Sequence, residues 1–304
     1  MNVLVMGAGA VGCYYGALLA RHGHEVWFIA RGAHLEAMQQ QGLEVRSVRS
    51  GTFRLPVRAA ATPAAAGPAE LVLFTVKTYD TATAAAQLRP VLTPQTVVLT
   101  LQNGIDNAEQ LAALLDVPVL AGAVYIGVSV TAPGVVEHNA GPCRLVFGAY
   151  DAAGAARAPQ LLRVFQAADI PAELAADVRL ALWEKFVFIC AFSGFTALTR
   201  LPVGAWRAFP PLRELYTRSL QELCEVARAS GVSLRPDMVA HVLAFTDSLA
   251  PEMTSSLQLD LAHGKPLEVE SLQGTVVRLG RALGVATPVH ELLYAFLQVH
   301  NPRR

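Results

Sequence analysis

Charge is scarce in this chain. Lys, Arg, Asp and Glu make up 16% of its 304 residues, and 24 basic side chains balance 24 acidic ones. A disordered tail needs more charge, and a general attraction to nucleic acid needs a basic excess, so both are excluded and a small polar or anionic ligand is expected instead. Cysteine is scarce too. Cys13, Cys143, Cys190 and Cys224 lie far apart with no CxxC pair, which argues against a disulfide framework or a zinc site. They read as small apolar core residues in a reducing compartment. The eight histidines form neither HxxxH nor HExxH, so no metal is assigned. No internal repeat is evident, and the alanine-rich stretches ATPAAAGPAE and DAAGAARAP are short enough to be loops. Met1 to Ala20 has the length of a membrane span, about 20 residues, but Gly7, Gly9, Gly12 and Gly16 interrupt it in a pattern. Only Asn2 and Val3 precede the apolar run, where a signal peptide would carry basic residues. The expectation is a cytoplasmic protein with no membrane and no nucleic-acid partner.

Apolar residues, at 53%, are plentiful enough for a sizeable core and, at this length, for two domains. Val3, Leu4 and Val5 form a short aliphatic run bounded by Gly7, as in a strand buried on both faces. Gly7-Ala8-Gly9-Ala10-Val11-Gly12 follows, a GxGxxG turn. Helical spacing then runs from Ala10 to Arg21 with Gly23 as its stop, and Glu25 to Ile29 is strand-like again. Strand, glycine turn, helix, strand is a βαβ unit. In such a turn the first glycine permits the bend, the second lets backbone approach a pyrophosphate, and the third lets helix and strand pack closely. The amides of Gly9, Ala10, Val11 and Gly12 would face the phosphates at the positive end of the helix. An NAD site usually carries an acid at the end of the second strand. This chain has Ala30-Arg31-Gly32 there. Arg31 is either a solvated loop residue or a bidentate partner for a 2′-phosphate, and the second reading predicts NADPH.

Leu71 to Val76 and Val97 to Leu101 read as further strands, with Lys77 and Gln102-Asn103-Gly104 at their ends, where open α/β sheets meet ligands. Lys77 could neutralise a phosphate or serve solubility; Asn103 could bond cofactor and substrate or satisfy its own turn. Val117 to Val130 and Cys143 to Phe147 add strands, with Pro133-Gly134 as a turn. After about residue 170 helical periodicity takes over. Leu212, Leu215, Tyr216, Leu220, Leu223 and Ala227 share one helix face, ended by Gly231. The domains expected are 1–172, a dinucleotide-binding α/β domain with a parallel sheet, and 173–304, an all-α domain. Leu180 to Ala191 is apolar nearly all round, so Lys185 inside it either snorkels, pairs with a carboxylate such as neighbouring Glu184, or acts as a general acid. Gly264-Lys265-Pro266 reads as the start of a helix containing Glu268 and Glu270, acids suited to its first turn. For Glu268 a pairing with Lys185 is the alternative.

These residues, in this order, resemble the ketopantoate reductase family, the NADPH-dependent 2-dehydropantoate 2-reductases. The landmarks are GAGAVG, Arg31, Val76-Lys77-Thr78, Gln102-Asn103-Gly104, Trp183-Glu184-Lys185, Ser255-Ser256 and PLEVE with Glu268. The resemblance implies an N-terminal Rossmann domain followed by an all-α domain like that of 6-phosphogluconate dehydrogenase, with the active site between them. It implies that Lys185 protonates the keto oxygen, that Glu268 positions Lys185 and also touches cofactor, and that Ser256 binds the substrate carboxylate. Asn103 would contact cofactor and substrate, and Arg31 and Lys77 the adenosine phosphate of NADP(H). A homodimer making pantoate for pantothenate synthesis is implied as well. Ile189, Ser193 and Val203 stand where well-known members carry asparagines that hold substrate. Ser193 keeps some hydrogen-bonding capacity there, but the wall is more apolar. A family member reducing another 2-keto or β-keto acid is therefore an alternative, and a non-catalytic NADP sensor is one of another class.

Overall fold

The structure, a computed structural model, describes residues 1–301. It divides into two units, Met1–Gln102 with Asp106–Ala181, and Asn103–Ile105 with Leu182 onward.

The first unit is α/β, and its elements run β1 (Asn2–Met6), α1 (Ala10–Arg21), β2 (Glu25–Ile29), α2 (Gly32–Gln41), β3 (Leu43–Ser47), β4 (Phe53–Leu55), β5 (Arg58–Ala60) and β6 (Leu71–Phe74). Then come α3 (Thr81–Leu88), β7 (Val97–Thr100), α4 (Asn107–Leu114), β8 (Val119–Ala132), β9 (Val135–Ala149), α5 (Ala152–Ala167) and β10 (Ala172–Leu174). All ten strands join one sheet, in the order β4-β3-β9-β8-β7-β6-β1-β2-β5, with β10 on β9. β1 lies parallel to both β2 and β6, Val5 opposite Phe28 on one side and Leu73 on the other. The chain winds one way from β1 to β2 and the other way to β6, so strand order reverses at β1. Ligands of open α/β sheets sit at the carboxyl ends of strands at such a reversal.

Val3, Leu4, Val5 and Met6 are all buried, as the unbroken apolar run required. α1 covers the sheet with Cys13, Tyr14, Tyr15, Ala17, Leu18 and Leu19, each at most 1% exposed. Fully burying a side chain of Leu or Phe size stabilises by about 1.5–3 kcal/mol, so this face anchors the motif. The opening stretch is thus strand, turn and helix. Pro133-Gly134 closes the β8–β9 hairpin with Gly134 at φ 74°. Cys143 to Phe147, expected as a strand of its own, is part of the fifteen-residue β9.

The expected domain break at 172/173 falls inside β10, which pairs in parallel with β9 through Ala172 and Leu145. That pairing keeps the chain with the sheet as far as Ala181.

α6 (Val178–Thr199) follows, then α7 (Val203–Arg207), α8 (Pro210–Ala229), α9 (Met238–Ser248), α10 (Ser256–Ala262), α11 (Thr275–Leu283) and α12 (Pro288–Val299). The second unit has no strand among its described residues. α6 is long and apolar enough to cross a membrane, but 61% of its most apolar stretch is buried, as in the core helix of a folded protein. On α8, Tyr216, Leu220, Leu223 and Ala227 are fully buried, while Leu215, expected on the same stripe, is 37% exposed. Its place is the edge of the apolar arc.

The helix expected from Pro266 begins later. Pro266, Leu267 and Glu268 are non-helical, and Glu270–Gly274 forms a turn of π-helix leading into α11. The Leu267 N–H donates to Asn301 Oδ1 at 2.9 Å, and Gly274 N–H donates back five residues to the Val269 carbonyl at 2.9 Å. Such π turns are rare and frequent at functional sites.

Candidate functional site

The candidate functional residues gather in two places, one in each unit. In the first, the glycine turn leaves β1 at Gly7, whose φ of +98° only glycine adopts freely and whose added Cβ would lie 2.7 Å from Val76 N. Gly12 is pressed against the sheet: a Cβ there would meet Thr75 Oγ1 at 2.5 Å and Gly7 O at 2.6 Å. Thr75 Oγ1 donates to that same Gly7 carbonyl at 2.7 Å. Gly9 differs, for a Cβ built on it meets nothing within 4 Å. The first bond of α1 runs from Cys13 N–H to Gly9 O at 2.8 Å, and no side chain caps the helix. The amides of Ala10, Val11 and Gly12 precede that bond, at the positive end of a twelve-residue helix. Bend, open approach and tight packing fall on the three glycines in the order a dinucleotide pyrophosphate requires, so the residues present fit that group.

Arg31 is the residue before α2, just past the end of β2. Its guanidinium is 69% exposed and only 4.0 Å from the Asp80 carboxylate. Lys77 is half-buried just beyond β6, before the short 3₁₀ turn Thr78–Asp80. Gln102, buried after β7, donates from Nε2 to the Val76 carbonyl at 3.0 Å and to Thr81 Oγ1 at 2.9 Å, tying neighbouring strand ends together.

Sequence reasoning missed His34. Its Nδ1 accepts from the Gly134 N–H at 3.0 Å, which fixes the ring proton on Nε2. Nε2 lies 3.5 Å from the Sγ of Cys13, which itself donates to the Ala8 carbonyl at 3.3 Å, so the ring bridges the hairpin to the glycine turn. Burial lowers the pKa of His34 and the Ala8 backbone opposes it, so the ring is biased towards the neutral form this bridge needs. Nothing but its place one turn into α2 could have signalled it.

In the second unit, α6 carries Lys185, and its ammonium donates to Asn103 Oδ1 at 2.8 Å. Burial lowers the pKa of Lys185 from 10.5 to about 8, and the negative charge of Glu268 opposes the shift. Glu268 is 8% exposed. Its carbonyl accepts from Ser271 Oγ at 3.0 Å and from Leu272 N–H at 3.2 Å, so the π turn fixes its backbone. Lys185, Asn103 and Glu268, more than 80 residues apart along the chain, therefore form one electrostatic group. A lysine with its pKa brought down to about 8, beside an amide and the charge of a carboxylate, can give or take a proton near neutral pH.

The predicted serines divide. Ser256 is exposed at the first position of α10. Ser255, buried beside it, caps α10 by accepting from Gln258 N–H at 3.1 Å and pairs with Thr196 Oγ1 at 2.6 Å. Ser193 is 2% exposed and donates to the Cys190 carbonyl at 3.3 Å. Val203 is fully buried, while Ile189 stays half-buried one turn beyond Lys185.

A dinucleotide-type α/β unit followed by a helical unit that holds a lysine of lowered pKa against an asparagine defines a two-unit oxidoreductase. Residues 3–152 match the family Ketopantoate reductase PanE/ApbA, and residues 177–301 match its C-terminal counterpart. The chain belongs to the ketopantoate reductase family, oxidoreductases that act on keto acids. It is 39% identical to a PanE/ApbA family ketopantoate reductase of Ralstonia eutropha, over 99% of this chain and 98% of that one, with a TM-score of 0.92. A 2-dehydropantoate 2-reductase of Geobacter metallireducens is 33% identical over 98% and 99%, with a TM-score of 0.91. The 2-dehydropantoate 2-reductase of Halobacterium salinarum is 35% identical over 95% of each chain.

Proposed function

We propose that the protein reduces a 2-keto acid to the 2-hydroxy acid with NADPH, 2-dehydropantoate being the substrate its relatives suggest. The observation that carries this reading is the Lys185 ammonium, held at 2.8 Å by Asn103 and brought to a pKa of about 8. The bound dinucleotide supplies the hydride. Lys185 donates the balancing proton to the keto oxygen, so that C=O becomes CH–OH. As negative charge grows on that oxygen, the ammonium stabilises the transition state more than the ground state. Glu268 keeps Lys185 charged, and Asn103 fixes where its ammonium points. Ser256, exposed at the start of α10, is assigned to substrate, whereas Ser193 is buried and already bonded to the Cys190 carbonyl. Gly7 to Gly12 take the pyrophosphate, while Arg31 and Lys77 take the adenosine phosphate, giving the preference for NADPH. What supports Arg31 is its place beyond β2 with no acid there and only a loose approach to Asp80.

A second reading, favoured by half-buried Ile189 and by the full burial of Ser193 and Val203, keeps the chemistry and changes the acid. A cytoplasmic homodimer completes the proposal on family resemblance alone. The test is NADPH oxidation followed at 340 nm with 2-dehydropantoate and other 2-keto acids. Turnover of at least one is expected; binding of NADPH without turnover of any would overturn the reading.

A further inference from the structure

Resting on that reading, we infer that the side chain of the keto acid is apolar and of aromatic size, and that Ile189, Phe188 and Phe245 select it. Helix periodicity places Lys185, Phe188, Ile189, Phe192, Ser193 and Thr196 on one side of α6, at steps of three and four residues. Whatever the ammonium of Lys185 protonates is therefore met next by this row.

The row offers no available hydrogen-bonding group. Ser193 Oγ is spent on the Cys190 carbonyl, and the residue is 2% exposed. Thr196 is fully buried, and its hydroxyl is engaged with the Phe192 carbonyl at 2.9 Å and Ser255 Oγ at 2.6 Å. Among the described residues of the row, the accessible side chains beyond Lys185 are Phe188 and Ile189, both half-buried.

Phe188 belongs to a small aromatic array. It stacks on Phe192, ring centres 5.0 Å apart at 26°, and meets Phe245 of α9 edge-on at 4.8 Å and 80°. Phe245 is 46% exposed, a large apolar surface that the fold leaves uncovered beside the proton donor's helix. An edge or face of a further ring is what such an array accommodates best. A hydroxyl on the substrate side chain would lose its water there and gain no partner.

An apolar wall discriminates against an added hydroxyl only modestly, by about 10²-fold at most. The comparison to make is between 2-dehydropantoate, its isostere 3,3-dimethyl-2-oxobutanoate, which lacks only the hydroxyl, and phenylpyruvate. The expected result is kcat/KM at least about tenfold higher for both apolar acids than for 2-dehydropantoate. Phe245→Ala, a change at an exposed site, is expected to lower the ratio of kcat/KM for phenylpyruvate to that for 2-dehydropantoate about fivefold or more. Ile189→Asn is expected to shift the ratio back towards the hydroxylated acid. Equal or better turnover of 2-dehydropantoate by the native enzyme, or a Phe245→Ala effect equal on both acids, overturns the selectivity and leaves the reductase intact. No NADPH oxidation with any of the three, nor with other 2-keto acids, removes the reductase itself.

Discussion

The ammonium of Lys185 is hydrogen-bonded to the side-chain oxygen of Asn103, 82 residues earlier in the chain. The two elements concerned, a loop after β7 and the middle of α6, meet within the second unit. Burial depresses the lysine while Asn103 orients it, so the same group is both deprotonatable and aimed.

The pH dependence follows from the sign of that shift. The acid form of Lys185 is full well below about 8 and is lost as pH rises through it. kcat/KM should therefore fall above about pH 8, approaching tenfold per pH unit. Asn103→Asp places a negative charge against the ammonium and should move this limb to higher pH. Steady-state rates between pH 6 and 10 measure both; a limb that Asn103→Asp leaves in place assigns the titration elsewhere.

Lys185→Ala should lose about 10² to 10⁴ in kcat, the ordinary worth of a positioned proton donor. NADPH binding, read by calorimetric titration, should change little. Near-native turnover in the variant refutes the role.

The three glycines should separate under mutation. Gly9→Ala has room for its methyl and should melt like the native protein while binding dinucleotide poorly, because the methyl stands where the pyrophosphate must come. Gly12→Ala collides with Thr75 and Gly7, and Gly7→Ala adds a positive φ to its clash with Val76. Overpacking costs about 1–3 kcal/mol, and a left-handed non-glycine residue about 1–2 kcal/mol more. Thermal melts with dye fluorescence distinguish the classes; a Gly9→Ala variant as unstable as Gly12→Ala contradicts the assignment.

Arg31→Ala should narrow the preference for NADPH over NADH. A charge-assisted hydrogen bond contributes about 1.5–3 kcal/mol, roughly 10- to 150-fold in affinity. NADH affinity should hold steady. Dissociation constants for both nucleotides, measured side by side, decide it, and an unchanged ratio takes Arg31 out of the phosphate site.

The βαβ start was legible almost residue for residue, because α1 at Ala10–Arg21 and β2 at Glu25–Ile29 are dictated by local signals: glycine punctuation, helical period and an apolar run. Lys185 was legible as a misfit, a charge in an apolar helix. What local pattern cannot carry was missed. The π turn at Glu270–Gly274 depends on Leu267 finding Asn301, 34 residues on. His34 matters because a hairpin turn 100 residues away brings Gly134 to it. Leu215 has the spacing of a buried residue, but exposure is set by how far the neighbouring helices reach.

The start of α12 has no side-chain cap from its own turn. Glu222 of α8 takes that office, accepting from the Val289 and His290 amides at 2.8 and 3.0 Å and from His290 Nδ1 at 2.8 Å. The last helix is thus a keystone, clamped at its head and seated through Leu293 and Leu297. Truncation before Pro288 would strand a buried carboxylate without its donors, so shortened versions of the chain should fail to accumulate as folded protein even though Lys185 and the glycine turn lie far upstream.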